Sequence, residues 1–371
     1  MSKRFIITIV SLVIIGVFAA LAIFLAKGYR ISPTEKRIVG TGIITISSEP
    51  DAASVFIDGH LTTATNATVS SLTPKTYSVR VVKEGFIPWE KQVDVKEGLV
   101  TELEVTLFPA IPSIYPLTFN GVSNPTLSPD SSKLVYNVLS GKKAGVWVWT
   151  MVQDQPIAFA RSSEPHQVIS STILDLSKAT LRWSPDSKQI LATVGSNNYL
   201  LDADNLNTEP RDITAILNPT MAGWEEDIEA KNQPRIEAIL DSTVRKTASD
   251  SAYLKWSPDE TKFMARKELI SDEEKELISD VVIYDLEGRK SYNLPAAKAF
   301  FWLPDSRHII LVEESSISLV EFDSTNKAVI YAGKFDNGYV FPWPDSSRLV
   351  IVSSFPTPTA SEPNLYGINL K

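Results

Sequence analysis

Residues 183–186 read Trp-Ser-Pro-Asp and so place an indole, a hydroxyl and a carboxylate within four positions. A carboxylate can transfer protons and a serine can attack an electrophile when a base activates it, so the cluster could be a catalytic or ligand-binding site. It could equally be a turn between two strands, because proline fixes φ and short polar side chains bond the turn backbone. The number of copies in the chain decides between these interpretations.

Five related copies of this cluster occur along the chain. Their prolines are at positions 129, 185, 258, 304 and 344, which gives spacings of 56, 73, 46 and 40 residues. A unique active site is not built five times, so we predict that the cluster is a strand turn and that its residues are structural. They are Pro129, Asp130, Trp183, Pro185, Asp186, Trp256, Pro258, Asp259, Trp302, Pro304, Asp305, Pro344 and Asp345.

In each copy an apolar strand precedes the turn and a strand rich in Ile, Leu and Val follows it. The two shortest spacings equal one propeller blade of four strands, and the two longest equal a blade with an insertion. The repeat resembles the TolB-like and WD-type β-propeller repeat, whose turn is usually Ser-Pro-Asp-Gly. The resemblance implies a β-propeller over residues 110–371 with five or six blades. The glycine is replaced in every copy, by Ser131, Ser187, Glu260, Ser306 and Ser346.

The end of this region indicates how the ring closes. The strand LYGINL, residues 365–370, leaves the last blade one outer strand short. The stretch SIYPLTF, residues 113–119, precedes the first repeat and could supply that strand. We therefore expect the two ends of the propeller region to pair.

The longest spacing contains residues 214–247, whose composition favours helix around Trp224 and again from Ile236. Pro234 is expected to break the run between them, because proline lacks the backbone N–H that an inner helical turn uses. We expect a helical insertion, which is either a solvated excursion or an element that binds a partner or covers the channel.

Between Phe263 and Tyr284 the pentapeptide ELISD occurs twice, around the acidic residues 272–274. This pattern predicts a long hairpin with a charged, solvent-facing tip. Calcium binding would need the EF-hand spacing of acidic ligands and its glycine, and both are missing.

Residues 41–109 alternate apolar and polar residues as the strands of a small antiparallel β-sandwich do, with turns at Asp58-Gly59 and Glu84-Gly85. The stretch Pro50-Asp51-Ala52-Ala53, followed by Val-Phe-Ile-Asp-Gly at 55–59, resembles a PEGA domain, with Ala52 in place of the family's glycine. The resemblance implies an extracytoplasmic spacer or adhesion module without catalytic activity.

Residues 5–26 form a run of 22 residues without a charge. At ~1.5 Å per helical residue such a run spans the ~30 Å hydrocarbon layer of a bilayer. We predict a transmembrane anchor, with residues 1–4 as a short cytoplasmic tail and 27–40 as a linker; a cleaved signal peptide is the alternative. The predicted location is the cell membrane, single-pass, with the bulk of the chain extracytoplasmic.

The composition excludes several classes of functional site. The chain has no cysteine, which excludes disulfides, thiolate nucleophiles and Cys-ligated metals, and it has only three histidines. A net charge of −8 argues against nucleic-acid binding, which needs clustered Lys and Arg. Neither a Gly-x-Ser-x-Gly elbow nor a phosphate-binding loop occurs, so we predict no catalytic residue, cofactor or metal.

The predicted fold class is therefore all-β: an N-terminal transmembrane helix, a PEGA-like β-sandwich and a five- to six-bladed β-propeller with a short helical insertion. The expected function is that of a membrane-anchored extracytoplasmic binding or scaffold protein. Its sandwich would be the spacer, and its propeller would bind an envelope protein or a glycan. The alternative is an anchored enzyme that acts on polysaccharide in the propeller channel, which acidic side chains about 5–10 Å apart would favour.

Overall fold

The computed structural model describes residues 10–19, 30–31, 38–151, 164–266, 278–336, 338–355 and 362–371. The chain divides into two compact units, Met1–Ile111 and Pro112–Lys371. Both are built from β-sheets, apart from the helix α1 at residues 10–19 and a helical insertion in the second unit. The tip of the predicted ELISD hairpin lies outside the described residues.

The predicted membrane anchor is wrong. Across the described ranges, no helix combines the length and the apolar character that crossing a bilayer requires. The described residues of the predicted segment, 10–19, form the helix α1. The predicted fold class is corrected by removing the transmembrane helix, and the single-pass location that depended on it falls with it.

The first unit contains a sandwich of seven strands, preceded by the short pair β1 (Arg30–Ile31) and β2 (Ile38–Val39). Its strands are β3 (Gly42–Glu49), β4 (Ser54–Ile57), β5 (His60–Ala64), β6 (Ala67–Leu72), β7 (Lys75–Val82), β8 (Trp89–Val95) and β9 (Val100–Thr106). One sheet has the order β6-β3-β9 and the other β5-β4-β7-β8. The sandwich is not wholly antiparallel, because β9 returns beside β3 in the parallel direction.

The sandwich core follows from the period-two pattern. Ile44 and Ile46 of one sheet and Val55, Val79 and Val81 of the other are fully buried in a single cluster. Alternate residues of a strand point to the same face, so these side chains meet between the sheets.

The second unit contains five sheets of four antiparallel strands among the described residues, each in chain order except the last. The first blade holds β11 (Ser123–Leu127), β12 (Lys133–Val138), β13 (Gly145–Thr150) and β14 (His166–Ser170). The second holds β15 (Thr180–Trp183), β16 (Gln189–Val194), β17 (Asn197–Asp202) and β18 (Arg211–Asp212).

The third blade holds β19 (Lys255–Trp256), β20 (Lys262–Arg266), β21 (Val281–Asp285) and β22 (Lys290–Asn293). The fourth holds β23 (Ala299–Trp302), β24 (His308–Val312), β25 (Ser316–Glu321) and β26 (Ala328–Ala332). The fifth holds β27 (Val340–Pro342), β28 (Arg348–Ser353), β29 (Asn364–Asn369) and, as its outer strand, β10 (Ile114–Pro116).

The pairing of β10 with β29 confirms the predicted closure. The two strands are antiparallel, with Ile114 opposite Ile368 and Pro116 opposite Tyr366. The fifth blade is therefore assembled from both ends of the unit, and a five-bladed β-propeller results.

The helical insertion consists of a 3₁₀ turn (Thr214–Ile216), α2 (Leu217–Glu237) and α3 (Ser242–Asp250). The prediction that Pro234 breaks the helix is wrong, because α2 continues through it to Glu237. Pro234 lies in the last turn, where only one intrahelical bond is lost, and its own carbonyl accepts the N–H of Ala238. The break falls at 238–241 instead, where the Asp241 carboxylate caps α3 by accepting the N–H of Thr243 at 2.8 Å.

The insertion fills the space between the second and third blades. Trp224 of α2 is buried against Leu191 of the second blade, and Ile239 and Ala248 are buried against Phe263 of the third. Blades one and two instead share one core directly, as do three and four, and one and five. The insertion is therefore part of the ring, and it takes the place of one direct blade-to-blade contact.

Candidate functional site

The Pro-Asp turns are held together by their own side chains. In the second blade the Ser184 hydroxyl donates to Asp186 Oδ1 at 2.6 Å, and the same carboxylate oxygen accepts the N–H of Lys188 at 3.1 Å. Ser184 Oγ in turn accepts the N–H of Gln189 at 2.9 Å. The Ser184 hydrogen bond is the main cause that holds the pKa of Asp186 below its usual range. The serine and aspartate of the first and third blades are arranged in the same way.

The fourth turn uses a different partner, because Leu303 replaces the serine. Here Asp305 Oδ2 lies 2.6 Å from His308 Nδ1, and Oδ1 accepts the N–H of Arg307 at 2.9 Å. Burial opposes ionisation, but the hydrogen bond and charge of His308 hold the pKa of Asp305 below its usual range. Sequence reasoning missed this histidine, since the other copies have Lys, Gln or Arg at the same place.

The residue that replaces the repeat's glycine has a left-handed backbone conformation in every blade. The φ angles of Ser131, Ser187, Glu260, Ser306 and Ser346 are 58°, 60°, 60°, 58° and 59°. Two of these serines also bond the preceding blade: Ser187 Oγ accepts the N–H of Asp130 at 3.2 Å, and Ser306 Oγ accepts the N–H of Asp259 at 3.0 Å. The five carboxylates are thus engaged in their own turns, and the structure does not gather them into one site.

The repeat tryptophans bond across the blade interfaces. Trp183 Nε1 donates to the carbonyl of Thr126 at 2.9 Å, and Trp302 Nε1 donates to that of Lys255 at 3.0 Å. Trp256 occupies the same repeat position, but in the part of the chain that the structure describes its Nε1 is buried without a partner. The reason is the insertion, which separates the third blade from the second.

The first strands of the blades surround the propeller channel, and β11 approaches β15 as β23 approaches β27. Their residues alternate in exposure: Leu181 and Trp183 are buried, whereas Thr180 and Arg182 are exposed. Because alternate residues share a face, positions two and four before the repeat serine lie on the face of each blade that points to the next element of the ring. Lys255, for example, pairs with Met264, which is buried between the third and fourth blades. Position two is occupied by Thr126, Arg182, Lys255, Phe301 and Phe341, and position four by Asn124, Thr180, Tyr253, Ala299 and Tyr339.

Lys255 has the most unusual environment among these positions. Its Nζ donates to the carbonyl of Phe300 at 2.9 Å and lies 4.6 Å from the centre of the Tyr253 ring and 4.9 Å from that of Phe301. Burial disfavours the charged form and lowers the pKa of Lys255 to about 8. Sequence reasoning missed this residue, although aligning the five repeats on their prolines would have placed it two positions before the repeat serine, on the first strand of the third blade.

A cleft of about 700 Å³ lies between the insertion and the third blade. One wall is formed by residues 238–241 and 244, the other by residues 284–287 and 289–291. Ile239, Val244 and Leu286 make its base apolar, and Tyr284 stacks on Phe263 with ring centres 4.9 Å apart. Leu240 is 85% exposed at its edge. The sequence could not indicate this cleft, because it exists only where the insertion packs on the blade.

Comparison with known proteins matches residues 41–111 to the PEGA domain family. No curated protein matches the chain. The chain is similar to the crystal structure of TolB from Acinetobacter baumannii at 11% identity and a TM-score of 0.26, covering 80% of this chain and 60% of that one. It is also similar to the AfRom2 CNH domain, at 10% identity and a TM-score of 0.35, covering 70% of this chain and 100% of that one. At these scores the propeller assignment is based on the strand pairing of the chain itself.

Proposed function

We propose that this chain is an extracytoplasmic binding or scaffold protein, in which the PEGA unit is a spacer and the propeller unit binds a protein partner. The PEGA match and the five-bladed ring support the general role. The cleft between the insertion and the third blade is the observation that carries the choice of a protein partner.

The lining of the cleft suits a peptide better than a glycan. Its base is aliphatic, through Ile239, Val244 and Leu286, and Leu240 extends the apolar surface into solvent. Side chains of both signs surround this base, namely Asp241, Asp285, Glu287, Arg289 and Lys290. An apolar centre with a polar rim is the usual composition of a protein-binding surface, and its centre supplies most of the binding energy.

The backbone at the cleft supplies a second means of recognition. Lys290 and Ser291 belong to β22, which is the edge strand of the third blade. An edge strand presents backbone N–H and C=O groups to which an extended peptide can add as a further strand. We therefore propose that the partner presents an extended segment, with an apolar side chain that enters the cleft.

The experiment selects a phage-displayed peptide library on the full-length chain and measures the affinity of the enriched peptides. Leu240→Asp is the test variant, and it should fold because Leu240 is exposed. Leu206→Asp is the matched control, since Leu206 is 55% exposed on the second blade and outside the cleft. We expect at least tenfold weaker binding to Leu240→Asp, about 1.4 kcal/mol, and unchanged binding to Leu206→Asp. Equal affinity for both variants would remove the cleft from the proposal.

That the chain is not an enzyme stays a prediction. The five first strands, all of them within the described ranges, contain no Asp or Glu. The first strands therefore do not supply the carboxylate pair that the polysaccharide-acting alternative requires. This composition favours binding over glycoside chemistry at the channel.

A further inference from the structure

The backbone of Ser291 points away from the third blade. The N–H of Leu294 donates to the carbonyl of Val281 at 2.9 Å, in the register that joins β22 to β21. Hydrogen-bonded pairs alternate along an antiparallel ladder, so positions 290 and 292 also bond β21, whereas the N–H and C=O of Ser291 face the open edge. Neither group has a hydrogen-bond partner among the described residues.

The open part of this edge is short. At one end the carbonyl of Asn293 already accepts the hydroxyl of Ser324, from the loop between β25 and β26 of the fourth blade, at 2.5 Å. At the other end Arg289 has a φ of 52° and lies in the turn that leads into β22. A strand that adds here can therefore form one complete hydrogen-bonded pair, with Ser291, and the recognised segment is about three residues long.

A residue that pairs with Ser291 directs its side chain into the cleft. Ser291 lies opposite Tyr284, and Tyr284 lies opposite Phe263, so the three side chains share one face of the blade. Phe263 is buried on that face against Ile239 of the insertion. An added strand continues this row, and its residue opposite Ser291 lies over the apolar base of the cleft. The residues before and after it point to the other face.

The next position of the added strand lies beside an unpaired cation. In an antiparallel strand, the residue that follows the one paired with Ser291 lies opposite Lys290. Lys290 is exposed and makes no ion pair with any described residue. The carboxylate of Asp285, opposite it on β21, accepts the N–H of Gly288 at 3.0 Å. Opposite charges on neighbouring strands attract, so a carboxylate is favoured at this position.

We propose that the cleft recognises a short extended segment in which a large apolar residue is followed by Asp or Glu, added antiparallel to β22 with the apolar residue paired to Ser291. This inference rests on the proposed function, because it specifies the register and sequence of the peptide that the cleft binds. The direction follows the blade itself, whose strand pairs are all antiparallel. The backbone pair sets the register, the apolar side chain supplies most of the affinity, and the carboxylate discriminates between partners.

The experiment titrates the full-length chain with the acetylated and amidated peptide Thr-Thr-Phe-Asp-Thr and measures binding by calorimetry. Two N-methylated peptides test the register. N-methylation of the phenylalanine removes the N–H that bonds the carbonyl of Ser291, and N-methylation of the aspartate removes an N–H that points away from β22. Ser291→Pro removes the outward N–H but keeps the ladder to β21, and Ser291→Ala is its matched control.

A charge exchange tests the neighbouring position. Lys290→Glu and the unaltered chain are each titrated with the aspartate peptide and with Thr-Thr-Phe-Lys-Thr. Lys290→Glu should bind the aspartate peptide about threefold more weakly, and the lysine peptide about threefold more tightly, than the unaltered chain does. Circular dichroism confirms that each variant is folded.

We expect saturable binding of the aspartate peptide, and about tenfold weaker binding after N-methylation of its phenylalanine or after Ser291→Pro. N-methylation of the aspartate and Ser291→Ala should leave the affinity unchanged. Absence of saturation, equal losses from the two N-methyl groups, or no effect of the charge exchange would each overturn the proposal.

Leu240→Asp separates this register from the proposed function. If Leu240→Asp weakens binding while the two N-methylated peptides bind alike, the cleft still binds the peptide and only the register is wrong. If Leu240→Asp leaves the affinity unchanged, the proposed function fails together with the register.

Discussion

The indole N–H of Trp183 donates to the carbonyl of Thr126 at 2.9 Å, across the interface of the first two blades. The equivalent indole of Trp256 is buried beside the insertion without a partner among the described residues. The same residue at the same repeat position is therefore hydrogen-bonded in the second blade and unsatisfied in the third. The cause is the neighbouring element, which is the first blade for Trp183 and the insertion for Trp256.

Trp183→Phe should lower the free energy of unfolding by about 1–3 kcal/mol, because it removes a hydrogen bond and shortens a buried side chain. Trp256→Phe makes the same change without breaking a hydrogen bond and removes an unsatisfied donor, so it should cost less than 1 kcal/mol. Urea unfolding of the two variants measures both values. Equal losses would show that the hydrogen bond across the interface contributes nothing.

The left-handed residues of the turns lead to a prediction of increased stability. Ser131→Gly should raise the free energy of unfolding by about 0.5–1 kcal/mol, since a left-handed L-residue costs about 1–2 kcal/mol and glycine returns part of this as chain entropy. Ser187→Gly should give no gain, because it also removes the hydrogen bond between Ser187 Oγ and the N–H of Asp130. Urea midpoints of the two variants test the pair, and a gain in both would contradict the role of the Ser187 hydroxyl.

The depressed pKa of Lys255 predicts a dependence of stability on pH. Between the folded value of about 8 and the ordinary value of about 10.4, the unfolded chain binds a proton that the folded chain does not. The contribution of this group to the free energy of unfolding therefore rises with pH in that window, and below it the penalty is constant. Lys255→Met should stabilise the chain by about 1–3 kcal/mol at pH 7, a difference that shrinks toward pH 10.

The measurement is the difference between the stability profiles of Lys255→Met and the unaltered chain from pH 6 to 10. Lys290→Met, an exposed lysine on β22, controls for the loss of one positive charge. A constant difference across the whole range would show that Lys255 is charged in both states throughout.

The features that the sequence predicts well depend on residues that are close together in the chain. A Pro-Asp turn with a strand on each side depends on residues within about ten positions, so five repeats could be found without knowing how the blades pack. The missing strand of the last blade was also predictable, because an incomplete sheet needs one more partner. The left-handed Ala52 of the PEGA unit, with φ of 53°, shows why the family has glycine there.

The features that the sequence does not predict depend on packing between segments that are distant in the chain. Propensity rules end α2 at Pro234, but packing of Trp224 and Ile239 on two different blades carries the helix further. The cleft combines Leu240 with Lys290, which are distant in sequence and meet only after the insertion has docked. Lys255 lies between these cases, since its position in the repeat follows from the sequence but its environment does not.

The pairing that closes the ring also sets an order of assembly. The side chains of Ser113 and Asn369, which flank the joined strands, are 256 positions apart and 2.7 Å from each other. On the ribosome, β10 emerges early and remains without its neighbour until β29 has been synthesised. The first four blades can form while the chain grows, but the fifth is necessarily the last, and its completion is the event that turns a row of sheets into a ring.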